Sequence, residues 1–539
     1  MPARFLALAC CLCAAAAHAA PPAAASALRI RADVGFLADD ALEGRAAGTR
    51  GYDLAARYVA AQYESLGLRP GGRDGSWYQP VALLEGAAVV GAGEFVIERN
   101  GATTRLESGV DFLPQRDYSG PKTRVTAPVE FVGYGVHAPE RGYDDFAGSD
   151  LSGKIAVVLS GAPPTFDSES RAHYSATLTK MPELVRHGAV GVITVLTPVD
   201  EARRPWPRWV QTSWFPGMRW IGSDGKPVDA FPELRRAAIM GGAGAAKLFA
   251  GTGHALEDVF AAATAGTPQH FALPGAVTLA GETTLAPRSS ANVVGLLEGA
   301  DPKLRNEYVV MTAHLDHLGR GAEVNGDGIY NGALDNASGV AVMLEVARLL
   351  KAGAPPKRSV LFVALTAEER GLLGSDVFAR QPTVPRAALV ADVNMDMPVA
   401  LGPVADWVAF GGEHSTLGPV AARAARAEGY LLSPDPEPEE IVFVRSDQYM
   451  FVRQGIPAIY MSSGNRSKDP AIDLAKRTDD FRRNHYHQPS DDTSLPIDYP
   501  SLAGLARVNL RIVREVANAD ARPRWNPGDF FGERFAPGR

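Results

Sequence analysis

The sequence predicts an α/β protein built from at least two units, and three observations carry that reading. The chain has 539 residues, 46% hydrophobic and 21% charged, which exceeds the size at which a single hydrophobic core stops growing. After Asn292, apolar runs of strand length alternate with a helical pattern, as in an open α/β sheet. From about Val125, a separate group of short apolar runs marks a smaller module that precedes this region.

The N-terminus reads as an export signal. Residues 1–4 give a short positive start, residues 5–17 an apolar run, and Ala17-His18-Ala19 an A-x-A cleavage site, so residues 1–19 are expected to be removed. Cys10, Cys11 and Cys13 are the chain's 3 cysteines and all fall inside the signal, which leaves no disulfide for the mature chain. No later stretch reaches the roughly 20 apolar residues that span a bilayer. A soluble protein of the periplasm or the extracellular space is expected.

Residues 20–27, rich in Ala and Pro, suggest a flexible leader. Residues 28–124 form the first part of the larger unit. Val34, Leu37 and Ala38, then Ala55, Val59, Tyr63 and Leu66, repeat at helical spacing around a loop at residues 44–49. The smaller module spans residues 125–285, with strands at 129–132, 155–159 and 190–196 and a helix at 181–185. Its Trp206, Trp209, Trp214 and Trp220 suit packing between units, or a lid. The remainder of the larger unit covers residues 286–520, and a tail covers 521–539. Strands are expected there at 293–297, 308–312, 360–365, 389–394 and 458–461. Val340, Met343, Leu344, Ala347 and Leu350 share one helix face.

The formal charge of −7 is small for this length and mixed along the chain, so nucleic acid is not an expected partner. Peptides or small molecules are. Candidate ligands fall just after strands or at helix starts, where open α/β sheets gather their sites. His314-Leu315-Asp316-His317 follows one strand, Asp335 precedes the 340–350 helix, Glu368-Glu369 and Asp396 follow two further strands, and His487 lies in a loop. Imidazoles mixed with carboxylates suit zinc in a hydrolytic site. Two metals need a shared carboxylate, and Asp335 stands between the two halves of the set. In the pair Glu368-Glu369, one side chain can hold metal while the other handles protons. His137, His173, His187, His254 and His270 lack such carboxylate partners and read as structural or surface residues.

At these residues the chain resembles the bacterial dinuclear zinc aminopeptidases, related to glutamate carboxypeptidase. The motifs are A-H-L-D-H-L-G at 313–319, G-A-L-D-N-A-S-G at 332–339, A-E-E-R-G-L-L-G-S at 367–375, N-M-D-M at 394–397 and Y-H-Q-P-S-D at 486–491. L-A-D-D-A-L-E-G-R-A-A-G-T at 37–49 resembles the family's opening helix and loop. G-Y-D-D-F-A at 142–147 and G-K-I-A-V-V-L at 153–159 resemble a protease-associated domain. The resemblance implies a zinc-peptidase fold, with a central mixed, mostly parallel sheet flanked by helices and an inserted β-rich protease-associated domain.

The resemblance also implies two zinc ions, one on His314 and Asp396, the other on Glu369 and His487, with Asp335 bridging. It makes Glu368 the general base, Asp316 the partner that fixes the His314 tautomer, and Tyr486 an oxyanion donor. It implies a cis peptide at Asp335-Asn336. One departure stands at Gln448, in Arg445-Ser446-Asp447-Gln448, where many relatives have histidine; glutamine cannot titrate there. An aminopeptidase must also hold a free amine, for which Asp435, Glu437, Glu439 and Glu440 are candidates. The alternatives are a glutamate-carboxypeptidase-like enzyme, which wants an arginine cluster beyond Arg445 and Arg453, a glutaminyl cyclase, which works with one zinc, and a noncatalytic receptor-like homologue, which would lack ligands or base.

Overall fold

The computed structural model of the protein describes residues 22–537 apart from Val90 and Trp214, with side chains described from Ala24 onward. The export signal and its cysteines lie outside the described residues. Strands Ser359–Leu365, Tyr308–His314, Leu389–Asn394 and Ala458–Ser463 lie side by side in that order, all parallel. Their near-continuous apolar sequences follow from burial on both faces. Val309, Met311, Ala313, Val360, Phe362 and Ala364 enter one core, while Val310, Leu361, Val363 and Leu365 enter the other.

Helices Pro22–Leu37, Arg50–Ser65, Ser338–Lys351 and Tyr499–Asn518 cover the first face, and Leu373–Arg380 and Gln448–Val452 the second. The strands Phe271–Leu297 and Asp406–Phe410 flank the parallel strands and run antiparallel to them, which makes the sheet mixed.

A second sheet holds Ile155–Leu159, Gly191–Val195 and Ala237–Met240 in parallel, and Lys122–Phe131 joins Ile155–Leu159 in the same sense. It starts earlier than the division placed at residue 125. Glu94–Arg99, Ala102–Leu106 and Phe112–Pro114 already belong to it. Conversely, Gly217–Trp220 leaves it to pair with Tyr78–Ala88 in the first sheet. The 27-residue strand Phe271–Leu297 runs through both sheets. Apolar runs identify strands but not their partners, which is why this exchange is invisible in the sequence.

One further expectation is corrected. The leader placed at residues 20–27 is helical from Pro22 onward. Its Ser26 hydroxyl donates to Glu345 Oε1 at 2.5 Å, and Arg29 donates to the same buried carboxylate, so this segment docks. The C-terminal tail is also docked: Phe531 is fully buried beside Phe443 and Tyr449, and the Trp525 indole donates to the Gly455 carbonyl at 3.1 Å.

His414 ties three parts of the chain together. Its Nδ1 lies 2.7 Å from Asp529 of the C-terminal segment and 3.7 Å from Glu169 of helix Ser168–Ser175. Burial alone would lower its pKa, but the bond to Asp529 and the charges of Glu169 and Glu413 outweigh it and raise it above the ordinary histidine value. The stabilisation is therefore fully present below the unfolded value of about 6.5 and is lost as pH rises through the higher folded value. In urea unfolding, His414→Asn is expected to cost about 2 kcal/mol at about pH 6, the usual worth of a hydrogen bond to a charged partner. The difference should shrink toward about pH 9; a pH-independent gap would contradict the assignment.

Candidate metal centre

The centre forms at the carboxyl ends of the parallel strands. His314 is the last residue of its strand, Asp396 lies two residues beyond Asn394, and Glu368 and Glu369 lie three and four beyond Leu365. Asp335 sits in the turn that leads into helix Ser338–Lys351, and its peptide bond to Asn336 is cis, as the resemblance implies. His487 arrives from the loop after helix Leu474–Asn484.

The side chains converge on Asp335. His314 Nε2 lies 3.3 Å from Asp335 Oδ1 and 3.0 Å from Asp396 Oδ1. His487 Nε2 lies 3.2 Å from Asp335 Oδ2 and 3.2 Å from Glu369 Oε2. Each Asp335 oxygen therefore faces a different imidazole. Ligands on a tetrahedral zinc, with bonds of about 2.0 to 2.1 Å, stand about 3.3 Å apart. All four separations match that spacing, and the donors are the nitrogen and oxygen ligands zinc takes, so the residues fit two zinc ions.

His317 also comes within reach of Asp335 and Glu369. Its Nδ1 is only 2.6 Å from Glu369 Oε1 and 3.9 Å from Asp335. The short contact is a direct hydrogen bond, which turns the other Glu369 oxygen toward His487. Such outer partners orient metal-binding carboxylates and strengthen binding.

The His314 tautomer is set by a main-chain group. Its Nδ1 donates to the Asp316 carbonyl at 3.1 Å, which turns Nε2 toward Asp335 and Asp396. The Asp316 carboxylate was expected to make that bond. Instead, the turn folds its Oδ1 onto the Glu368 amide at 3.0 Å, so Asp316 positions the candidate base. Burial first, then Asp396, Glu369 and Asp447, push the Glu368 carboxyl well above the usual range, with His314 opposing. Burial and Glu369 also push Asp335 up, but His317, His314 and His487 win and bring it to about 2. It is thus kept ionised, the state a metal needs.

The turn at Asp335 is held from several sides. Asn336 Oδ1 accepts from Gly339 and Met397 N–H, and its Nδ2 donates to the Met395 carbonyl. Asp491 accepts the Leu334 and Asp335 amides at 2.9 and 3.0 Å. Gly332 has φ +62°, and a Cβ there would meet the Asp335 carbonyl and the His317 ring. Arg45, buried, donates to the carbonyls of Leu37, Leu315, Asn331 and Gly332. His317, Asp491 and Arg45 all lay inside the motifs read from sequence, but nothing in a one-dimensional pattern shows which neighbour faces which.

Tyr486 stacks on His487 at 3.8 Å, and burial followed by the Asp335 charge raises its phenol well above the ordinary value, which keeps its proton. Gln448 is buried, bonded to Asn394 and the Phe443 carbonyl. Two acids of the run are paired: Glu437 with Arg482, and Glu440 with Arg203 at 3.0 Å and Arg445 at 3.6 Å. Trp220 packs with Leu373 and Val377 of helix Leu373–Arg380 and donates to Asp376, whereas helix Trp206–Thr212 reaches Tyr486 through Arg208. His173 bonds the Tyr449 hydroxyl, and His187 and His254 stack on Phe146 and Phe271.

Residues 292–513 match the sequence profile of Peptidase family M28. The chain is 36% identical over 119 residues to "Aminopeptidase NAALADL1" of Mus musculus, covering 21% of this chain and 14% of that protein. It is 39% identical over 88 residues to "Aminopeptidase YwaD" of Bacillus subtilis, covering 16% of this chain and 17% of that protein. The matched stretches thus span well under a quarter of either relative. A solved aminopeptidase from Aneurinibacillus sp. strain AM-1 shares the fold, with a TM-score of 0.53 at 21% identity over 92% of this chain and 95% of that one.

Replacing Asp491 by Asn would turn an accepting oxygen into a donor facing the Leu334 or Asp335 amide. The variant is expected to lose about 1 to 3 kcal/mol of stability and about tenfold in metal affinity, read by urea unfolding and chelator competition. Unchanged values in both would contradict its role in holding the turn.

Proposed function

This chain belongs to peptidase family M28, and on that premise we propose that it is an exported aminopeptidase that holds two zinc ions and removes N-terminal residues from peptides. The observation that carries the reading is the placement of Asp335, one oxygen toward His314 and Asp396 and the other toward His487 and Glu369. We further propose that much of the second sheet belongs to a protease-associated insert.

The zinc ions, when bound, supply Lewis acidity and bring the pKa of water they hold to about 7. Glu368, placed by Asp316, takes the proton of the attacking water as a carboxylate and returns it to the leaving amine. The Tyr486 phenol, still protonated, donates to the oxyanion. His317 and the Asp316 carbonyl hold the ligands in orientation and move no proton in this scheme.

The glutamate-carboxypeptidase-like alternative draws on one observation: Arg204 and Arg208, near Tyr486, make no ion pair among the described residues and would accept a substrate carboxylate. Against the noncatalytic alternative stands the convergence of His314, Asp335, Glu369, Asp396 and His487 at ligand spacing, with the Glu368 amide bonded to Asp316.

Leucyl, alanyl, lysyl and glutamyl anilides, each with a free or acetylated N-terminus, separate these readings. Cleavage confined to free amines, lost on chelation and restored by zinc, is expected; equal cleavage of acetylated forms would sink the aminopeptidase reading. Glu368→Gln should keep its zinc while kcat falls by about 10² to 10⁴, the usual contribution of a general base. Near-normal turnover would remove Glu368 from that role.

A further inference from the structure

The loop that carries His487 adopts a backbone that side-chain-bearing residues rarely take. His487 has φ +56°, in the left-handed region. Most groups around it are tied down locally. The His485 and Tyr486 amides donate to the Phe481 carbonyl at 2.8 Å, and the Gln488 side chain donates to the His487 carbonyl at 2.5 Å. The carbonyl of Tyr486, which belongs to the peptide just before His487, is different. Its hydrogen bond comes from Arg208 Nη2 at 2.7 Å, across 278 residues of sequence.

Arg208 lies on helix Trp206–Thr212, which is itself well anchored. The Trp206 indole donates to the Gly109 carbonyl at 3.0 Å, and the Arg204 guanidinium sits 4.3 Å over the Trp209 ring. Just before it, Arg203 pairs with Glu440 at 3.0 Å and donates to the Glu439 carbonyl at 3.2 Å. The helix is therefore fixed at Gly109, at the Glu439–Glu440 turn and at Tyr486. Arg208 makes no ion pair among the described residues, and its hydrogen bond goes to a main-chain carbonyl and not to an acid that would explain its position.

We propose that Arg208 is a positioning residue for the metal centre. By holding the Tyr486 carbonyl it fixes the peptide plane that precedes the left-handed His487, and with it the direction in which His487 Nε2 faces Asp335 and Glu369. It also sets the Tyr486 ring, which stacks on His487. The Glu369–His487 half of the centre then depends on a helix far away in sequence, while the His314–Asp396 half, built on the ends of two adjacent parallel strands, does not. The proposal rests on the two-zinc reading above.

The test is chelator competition followed by metal analysis on the full-length zinc-loaded protein, with dipicolinate as the chelator. Arg208→Met, which keeps the apolar stem without the donor, should release one of two zinc ions at about tenfold lower chelator, as loss of an outer partner does. The second ion should leave at the wild-type concentration, and kcat should fall with KM nearly unchanged. Arg208→Lys, which can still donate, should lie between. Wild-type retention of both ions in Arg208→Met overturns the proposal, and so does parallel loss of both, which marks a general loosening. Should Arg208→Met not fold, Arg208→Gln is judged by the same two outcomes. A wild-type protein that takes up fewer than two zinc ions overturns the two-zinc reading itself, and the proposal with it.

Discussion

The centre depends on one carboxylate, Asp335, being held where each of its oxygens meets a different imidazole. A carboxylate in a buried place is expensive unless its charge is matched, and here Glu369 stands beside it and adds repulsion. The fold answers with geometry as well as charge. Asp491 takes the backbone amides at the turn, Asn336 ties it to the strand ends at 395–397, and Arg45 threads beneath through four carbonyls. Every one of these contacts is made by a group with no part in the chemistry. Their common effect is to leave Asp335 a single orientation, so that the site is organised before any substrate arrives.

This organisation explains why the four parallel strands are so completely buried. Their carboxyl ends carry His314, Asp396, Glu368 and Glu369, and a shift of one strand against its neighbour would move a ligand by several ångströms. Cores on both faces suppress such slippage, because alternate residues of each strand are locked into opposite layers. The sheet is thus a positioning device, and its stability and the precision of the centre arise from the same packing.

Much of this was legible in the sequence because it depended on local pattern. The strands at 308–314, 359–365, 389–394 and 458–463 announced themselves as apolar runs, and helix Ser338–Lys351 by its spacing. The ligands were legible because each sits at the end of such an element. What could not be read were contacts between distant segments. The strand Glu94–Arg99 is a short apolar run between charged residues, and its partner near Ala276 lies far along the chain. His317 was visible inside its motif, but only the folded turn shows that it holds Glu369, and only the turn shows that the Asp316 carbonyl, not its carboxylate, meets His314. The Ala-rich start reads as a loose segment because the group that receives it, Glu345, is supplied from elsewhere.

The contact between Arg208 and the Tyr486 carbonyl carries this dependence on distant segments into the centre itself. Binding free energies are reciprocal: whatever a docked helix adds to the affinity of the His487 side for metal, metal at that side returns to the docking of the helix. Helix Trp206–Thr212 reaches the rest of the protein through a few polar contacts, with no residue of its own fully buried. On the two-zinc reading, the docking of this helix and metal binding at the His487 side therefore strengthen each other. The half of the centre built on parallel strands supplies rigidity, and the half that ends on a left-handed loop is where the remainder of the chain gains a hold on the chemistry.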